Sequence, residues 1–434
     1  MRILFTPYSG GAIAHVARLL PIADELAARG HATRFTTSVS KKAFVEAAGH
    51  AVHGDGHADV NLNDEHDQGI TYFRSHRAGF LDWLGDELAA AEAFRPDVIV
   101  SSPSFFGPIA SLKFGIPQVS IVNAQWLPEF KGLLGLSRSR DTFADRLTRT
   151  LAKPLFERKF SSTYLEEIRS FYRELGVPGA PMSRGELNRS TQVLIPSCEE
   201  FEPVERAGRQ GLRYVGPLFW SGFERAELER ERLFAADPSK PLIYVSLGGS
   251  VYRRQSYEEL IAALALRTDW NVLLTIGPNF PREQFAPDHP GFVVQAYTPG
   301  MKASAQADVV ITAGGHGTVM QALWHGKPVV ALPHNIDQAT IASRLEELGV
   351  GVNLNPVGLR DFADRQRYFE KAISTPWSHV VAHTERVLAD ERLRANARAF
   401  AAILTRHAEP AKAAADAVER HASSRADGVK ESPR

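Results

Sequence analysis

Two successive α/β domains, each a doubly wound parallel sheet, are what this sequence predicts, and three observations carry that prediction. The chain has 434 residues, more than one ordinary core needs. Short apolar runs alternate with helical patterns in both halves, and parallel strands need such helices to return the chain. A charged stretch bounded by Gly-Pro and Pro238, residues 216–240, separates the halves and reads as a linker.

In the first half, residues 2–6 form an apolar strand that stops at Pro7, and the small-residue turn Ser9-Gly10-Gly11 follows. Val16, Leu19, Leu20, Ala23 and Leu26 then recur at helical spacing over 14–29, with Gly30 as the stop. Thr33–Thr37, Asp97–Ser101 and Gln118–Val122 read as further strands, the last two bracketing a helix near 107–115. In the second half, Leu242–Ser246, Val272–Ile276, Val309–Thr312 and Pro328–Leu332 are near-continuous apolar runs, as strands buried on both faces should be. Helices are expected near 256–267, 318–325 and 338–348. The resulting division is 1–218, a linker at 219–240, a second domain at 241–375, C-terminal helices at 376–421 and a disordered polar tail at 422–434.

Bulk chemistry narrows the function. Lys plus Arg equals Asp plus Glu at 50 each, so no basic footprint for nucleic acid appears. Cys198 is the only cysteine, which excludes an intrachain disulfide and suits a reducing cytoplasm. No apolar run reaches the length of a membrane span, and the N-terminal run is too short for a signal-peptide core. His53, His57, His66 and Asp67 invite a metal reading, but their spacing fits no standard ligand set. A polar loop accounts for them better.

The densest signal runs from Ile311 to Gln338. A strand ends at Thr312, and Gly314, Gly315 and Gly317 allow a tight turn and close approach of a ligand. A helix opening near Thr318 would present free N–H groups and a positive dipole end to a diphosphate. Pro333 closes the next strand, and Asp337 and Gln338 open the next helix, where a carboxylate and an amide could bond sugar hydroxyls.

With its spacing through Gly326-Lys327-Pro328, Pro333 and Asp337-Gln338, this segment resembles the donor signature of glycosyltransferase family 1, the inverting GT-B enzymes. Val245-Ser246-Leu247-Gly248-Gly249-Ser250 resembles the family's first C-domain strand and its phosphate-facing loop. Tyr297-Thr298-Pro299 resembles the loop whose aromatic residue packs on the nucleobase, and Val215-Gly216-Pro217-Leu218 resembles the close of the N-domain. The likeness covers most of the chain, with 55–95 and 125–190 poorly matched. It implies a GT-B fold, two Rossmann-like domains facing across a cleft, with an acceptor-binding first domain. It also implies a UDP- or TDP-sugar donor and a small-molecule acceptor, with no metal. Gly248, Gly249, Ser250, Gly315, His316, Gly317 and Thr318 would hold the diphosphate. Tyr297 and Thr298 would hold the base, Gln321 the ribose, and Asp337 with Gln338 the sugar. Two positions depart from the family: Ala313 stands where a diphosphate-binding His is usual, and Gln321 where an acidic ribose contact is usual. His316 is the candidate replacement for the missing histidine.

His15 sits where the family carries its general base, at the start of the first helix. An imidazole titrating near the working pH suits that task. The Asp that supports this His in many relatives falls on Val100-Ser101-Ser102-Pro103, which holds no carboxylate, and Asp55, Asp59 and Asp64 are alternatives among which nothing selects. Trp126 and Phe130 line an acceptor pocket or belong to ordinary core. The expected function is an inverting glycosyltransferase acting on a hydroxyl of a small molecule, a secondary metabolite by composition. A non-catalytic nucleotide-binding auxiliary protein and a GT-B sugar-nucleotide epimerase are the competing readings.

Overall fold

Strand order reverses once in each of two all-parallel sheets, and both reversals lie beside the candidate site residues. The computed structural model describes residues 1–8, 13–60, 76–102, 109–140, 142–187, 192–205, 211–220, 237–248, 254–277, 280–285, 287, 289–358 and 365–430. The first sheet is built from β1 (Arg2–Pro7), β2 (Ala32–Phe35), β3 (Ala51–Val52), β4 (Val98–Ser102), β5 (Gln118–Ile121), β6 (Gln192–Ile195) and β7 (Leu212–Tyr214), in the order β3-β2-β1-β4-β5-β6-β7. The second contains β8 (Leu242–Ser246), β9 (Asn271–Thr275), β10 (Phe292–Gln295), β11 (Val309–Thr312), β12 (Val329–Ala331) and β13 (Gly351–Asn353), in the order β10-β9-β8-β11-β12-β13. In doubly wound sheets the connections diverge where the order reverses, and ligands bind there beyond the carboxyl ends of the strands. Those points are β1/β4 and β8/β11, where Pro7 pairs with Ser102 and Ser246 with Thr312.

The helices follow from their apolar spacing. In the first half they are α1 (Ala14–Ala28), α2 (Val39–Ala47), α3 (Arg77–Phe94), α4 (Ile109–Phe114) and the long α5 (Phe143–Glu174). α1 buries the face Val16, Leu19, Leu20, Ala23 and Leu26 against Phe5, Phe35 and Val100. In the second half they are α6 (Arg254–Ala265), α7 (Gly300–Gln306), α8 (His316–Trp324), α9 (Ile336–Leu348) and α10 (Arg365–Ile373). Three more close the chain: α11 (Trp377–Ala389), α12 (Glu391–Leu404) and α13 (Pro410–Lys430). The short strands β3, β6, β7, β10 and β13 carry too little apolar alternation to stand out in the sequence. The expected linker lies largely outside the described residues, at 221–236.

By contacts, one unit comprises 1–130, 150–220 and 407–434, and the other 131–149 and 221–406. The C-terminal helices expected at 376–421 are divided between the two units by their contacts. α11 and α12 bury Trp377, Val380, Val387 and Leu393 in or against the second unit's core. α13 instead belongs to the first unit, because its small face, Ala414, Ala415, Ala417 and Val418, fits against α1. Arg29 at the end of α1 reaches Asp416 at 2.7 Å and Glu419 at 2.6 Å, and His31 Nε2 meets Glu419 at 2.7 Å. These pairs are partly exposed and are worth little singly, so apolar burial carries the attachment. α13 also continues through Lys430, so the segment expected to be disordered from 422 extends a helix already nucleated by packing. No helix among the described residues is long and apolar enough to cross a membrane.

The buried face of α13 makes a direct test. Val418→Asp places an unpaired carboxylate at a fully buried position, which should cost roughly 3 kcal/mol or more. Chemical denaturation should show the midpoint fall, and an unchanged midpoint would contradict the packing described.

Candidate functional site

In the second unit, the polypeptide leaves β11 at Thr312 and turns through Ala313 and Gly314 into α8. Gly314 has φ +89°, and a Cβ there would lie 3.2 Å from the Gln338 carbonyl oxygen, so only glycine fits without strain. Gly315 and Gly317 differ. Neither has positive φ, and a Cβ on either would meet nothing within 4 Å. Packing does not demand glycine there; its effect is to leave the first turn of α8 bare.

That helix begins at His316, two residues earlier than the sequence pattern indicated, because Gly315 serves as N-cap and makes no side-chain capping bond. The first bond is from Val319 N–H to the Gly315 carbonyl at 3.0 Å, so the N–H groups of His316, Gly317 and Thr318 precede the hydrogen-bonded ladder. Uncapped N–H groups at the positive end of a helix make an anion-binding arrangement. His316, expected inside the turn, is the first helical residue and is buried. Ala313 is buried at the strand end, and Thr318 is half-buried.

The neighbouring loops converge on the same edge of the sheet. Gly248, after β8, has φ +80° and open space where a Cβ would stand, and its carbonyl accepts from Tyr257 Oη at 3.2 Å. Gly249 and Ser250 lie outside the described residues. After β10, Tyr297 is 59% exposed and lines a shallow groove with Phe280, Pro281, Arg282 and Gln295. Thr298 is buried, receiving a hydrogen bond from Thr275 Oγ1 (2.6 Å) and donating one to Gln295 Oε1 (3.0 Å), so its hydroxyl is spent inside the fold. Gln321 on α8 lies against Gly300, where any side chain would collide with its amide. Gln321 is thus held beside the Tyr297 loop.

Asp337 and Gln338 open α9 as expected, and both are half-buried. A device not anticipated from sequence orders them. Asn335 caps the helix, accepting from Gln338 N–H at 3.0 Å, while Gln338 Oε1 accepts from His334 N–H at 3.1 Å. The Asn335-x-x-Gln338 spacing was a readable capping signal. Gln338 consequently keeps its amide NH2 for a ligand, with its oxygen already engaged.

In the first unit, His15 occupies the first turn of α1 beside the β1/β4 reversal. Tyr8 N–H bonds the Ser102 carbonyl at 2.6 Å, closing the strand ends, and the Tyr8 ring meets the His15 ring edge-on at 5.3 Å. His15 is half-buried by exposed area, and its Nδ1 is enclosed without a hydrogen-bond partner. Burial, reinforced by the positive charges of Arg18 and Lys41, lowers its pKa from 6.5 to about 3. No described carboxylate bonds it. Asp59 accepts from Ser40 Oγ at 2.5 Å, Asp55 pairs with Lys42 at 3.3 Å, and Asp64 lies outside the described residues. His53 Nε2 stands 4.0 Å from Asp86, His57 Nδ1 bonds the Ala58 carbonyl, and His66 and Asp67 are not described. No group of three potential metal ligands occurs among the described residues. Phe130 is core, packed with Val122, Ile195 and Val204, and Trp126 packs against that cluster.

Residues 245–356 match the glycosyltransferase family 28 C-terminal domain, a span that includes the glycine turn and both helix N-termini described above. The 4'-demethylrebeccamycin synthase of Lentzea aerocolonigenes is 26% identical over 361 residues, 78% of this chain and 85% of that protein. Among solved structures, the kitacinnamycin glycosyltransferase superposes with a TM-score of 0.70 at 20% identity, covering 97% of this chain and 98% of that one. The spinosyn rhamnosyltransferase SpnG, solved with thymidine diphosphate and with spinosyn aglycone, gives TM-scores of 0.61 and 0.62 at 18% and 19% identity, each covering 95% of this chain and 98% of that one. These solved structures share the two-sheet architecture. The matching domain carries the family 28 name and the motifs resemble family 1, both of them glycosyltransferase families. The chain is a glycosyltransferase with the GT-B fold.

Proposed function

We propose that the chain transfers a sugar, with inversion, from a nucleoside diphosphate sugar to a hydroxyl of a small natural product, with His15 as general base. The observation that carries this reading is the bare first turn of α8, uncapped and flanked by glycines that packing does not require. A diphosphate suits it, and no metal is needed where helix N–H groups neutralise the leaving group. Gly248, Gly249, Ser250, Gly315, His316, Gly317 and Thr318 are the residues proposed to hold the diphosphate. The exposed Tyr297 ring would supply a stacking face for the base, joined by the Thr298 backbone, and Gln321, which lies against Gly300, would bond the ribose. Asp337 and the free amide of Gln338 take sugar hydroxyls. The thymidine diphosphate bound by SpnG and the aglycone named with it support a nucleotide donor and an aglycone-like acceptor here. A reducing cytoplasm is the proposed setting, consistent with the single buried thiol of Cys198.

In this mechanism the acceptor oxygen attacks the anomeric carbon as its proton passes to His15, and the bond to the nucleoside diphosphate breaks with its electron pair. With its pKa near 3, the His15 imidazole is neutral and ready to accept at neutral pH. It is a weak base at rest, so the proton moves as the new carbon–oxygen bond forms and the hydroxyl becomes acidic.

His15→Ala should lower kcat about 100-fold or more, while calorimetry finds UDP or dTDP affinity unchanged; undiminished turnover would remove His15 from the mechanism. The pH profile supplies a second check. A histidine with lowered pKa stays unprotonated as pH falls through 6.5, so kcat/KM should show no His15 loss until well below that value. An acid limb near 6.5 that disappears in His15→Ala would contradict the buried, neutral imidazole. The two kinds of glycine give a third. Gly314→Ala should destabilise the fold by about 1 kcal/mol or more, whereas Gly317→Ala should leave the unfolding midpoint unchanged and weaken nucleotide binding about tenfold. Full nucleotide affinity in Gly317→Ala would count against the diphosphate assignment.

A further inference from the structure

A segment from the first half of the chain, Lys131–Arg149, belongs by its contacts to the second unit. Its docking is specific. Gly135, with φ +93°, gives its N–H to Thr340 Oγ1 at 2.6 Å, and the same hydroxyl donates to the Ile336 carbonyl at 2.8 Å. One buried hydroxyl therefore ties the segment to the carbonyl of the first residue of α9. At the other end of that helix, Ser137 Oγ donates to Glu347 Oε2 at 3.0 Å, a carboxylate also held by Arg344 at 2.7 Å. Leu133 and Leu134 are buried, and Leu133 and Ser137 exchange backbone hydrogen bonds at 2.6 and 2.8 Å.

The local backbone is unusual for the residues it contains. Ser137 and Arg138 have φ of +52° and +55°, conformations that side chains other than glycine adopt only when surroundings hold them. Those surroundings are present. Arg149 Nη1 donates to the carbonyls of Arg138 (2.5 Å) and Arg140 (2.8 Å), and both arginines reach the buried Asp145 carboxylate at 3.3 and 3.1 Å. So much internal support fixes a strap against one particular helix, the one whose first turn carries Asp337. Thr340 follows Asp337 by three residues, so the two share a face of α9.

We infer that this strap is a positioning element for the donor sugar, with the Gly135–Thr340 bond setting the first turn of α9 and hence the placement of Asp337 and Gln338. The inference rests on the donor reading given above. It divides the donor in two: the nucleoside diphosphate is gripped by the α8 turn and the Tyr297 loop, and the sugar is placed by α9, the helix to which the strap is bonded.

Thr340→Val keeps the side-chain shape and removes both hydrogen bonds. In the full-length protein, KM for the nucleotide-sugar should rise about fivefold, the scale of one buried hydrogen bond. Affinity for the free nucleoside diphosphate, measured by calorimetry with UDP and dTDP, should stay within twofold. Thr340→Ser, which retains the hydroxyl, should restore the wild-type KM and guards against a mere packing defect. A KM that does not change, or that rises by the same factor as the nucleotide dissociation constant, overturns the positioning role. Wild-type protein that binds neither nucleotide overturns the donor reading and this inference with it, and that result is visible before any variant is made.

Discussion

The close approach of Gly314 to the backbone of Gln338 governs the second unit. Two helices that follow adjacent parallel strands can bring their N-termini side by side only if the turn entering the first leaves room for the second. A Cβ at 314 would stand 3.2 Å from the Gln338 oxygen, and the positive φ independently excludes most residues. With that turn in place, the uncapped start of α8 and the Asn335-capped start of α9 lie together at the carboxyl edge of the sheet. The two starts are chemically unlike. One has a glycine N-cap that makes no side-chain bond, and the other is capped by Asn335, whose side chain accepts from the Gln338 N–H.

The first unit solves a different electrostatic problem. A histidine in the first turn of a helix feels the positive end of the dipole, which already discourages protonation. Arg18 and Lys41 add to that field, and burial completes it. The usual remedy, a carboxylate on the second ring nitrogen, is not found among the described residues. The Tyr8 ring packs edge-to-face with the imidazole there, 5.3 Å between ring centres.

Much of this was legible in the sequence because apolar runs and glycine spacing are local. β8 and β11 have the predicted bounds, and the site residues after β11 fall on two consecutive helix starts. What was not legible is long-range. Nothing local distinguishes Gly315 and Gly317, which leave space, from Gly314, which needs it. α8 starts two residues before its apolar pattern because a glycine N-cap carries no side-chain signal. The division of the C-terminal helices depends on which partner each apolar face finds, and the docking of Gly135 on Thr340 joins residues 205 positions apart. The motif at Thr298 does not reveal that its hydroxyl is bonded by Thr275 and Gln295.

The return of α13 to the first unit has a consequence for how the molecule is made. The face of α1 that receives Ala414, Ala415 and Val418 is synthesised about four hundred residues before its cover. During translation that apolar face is without its final partner until the entire second unit has emerged, so a ribosome that stalls inside the second unit displays a sticky first unit. α13 works as a seal applied only after the second unit has been made.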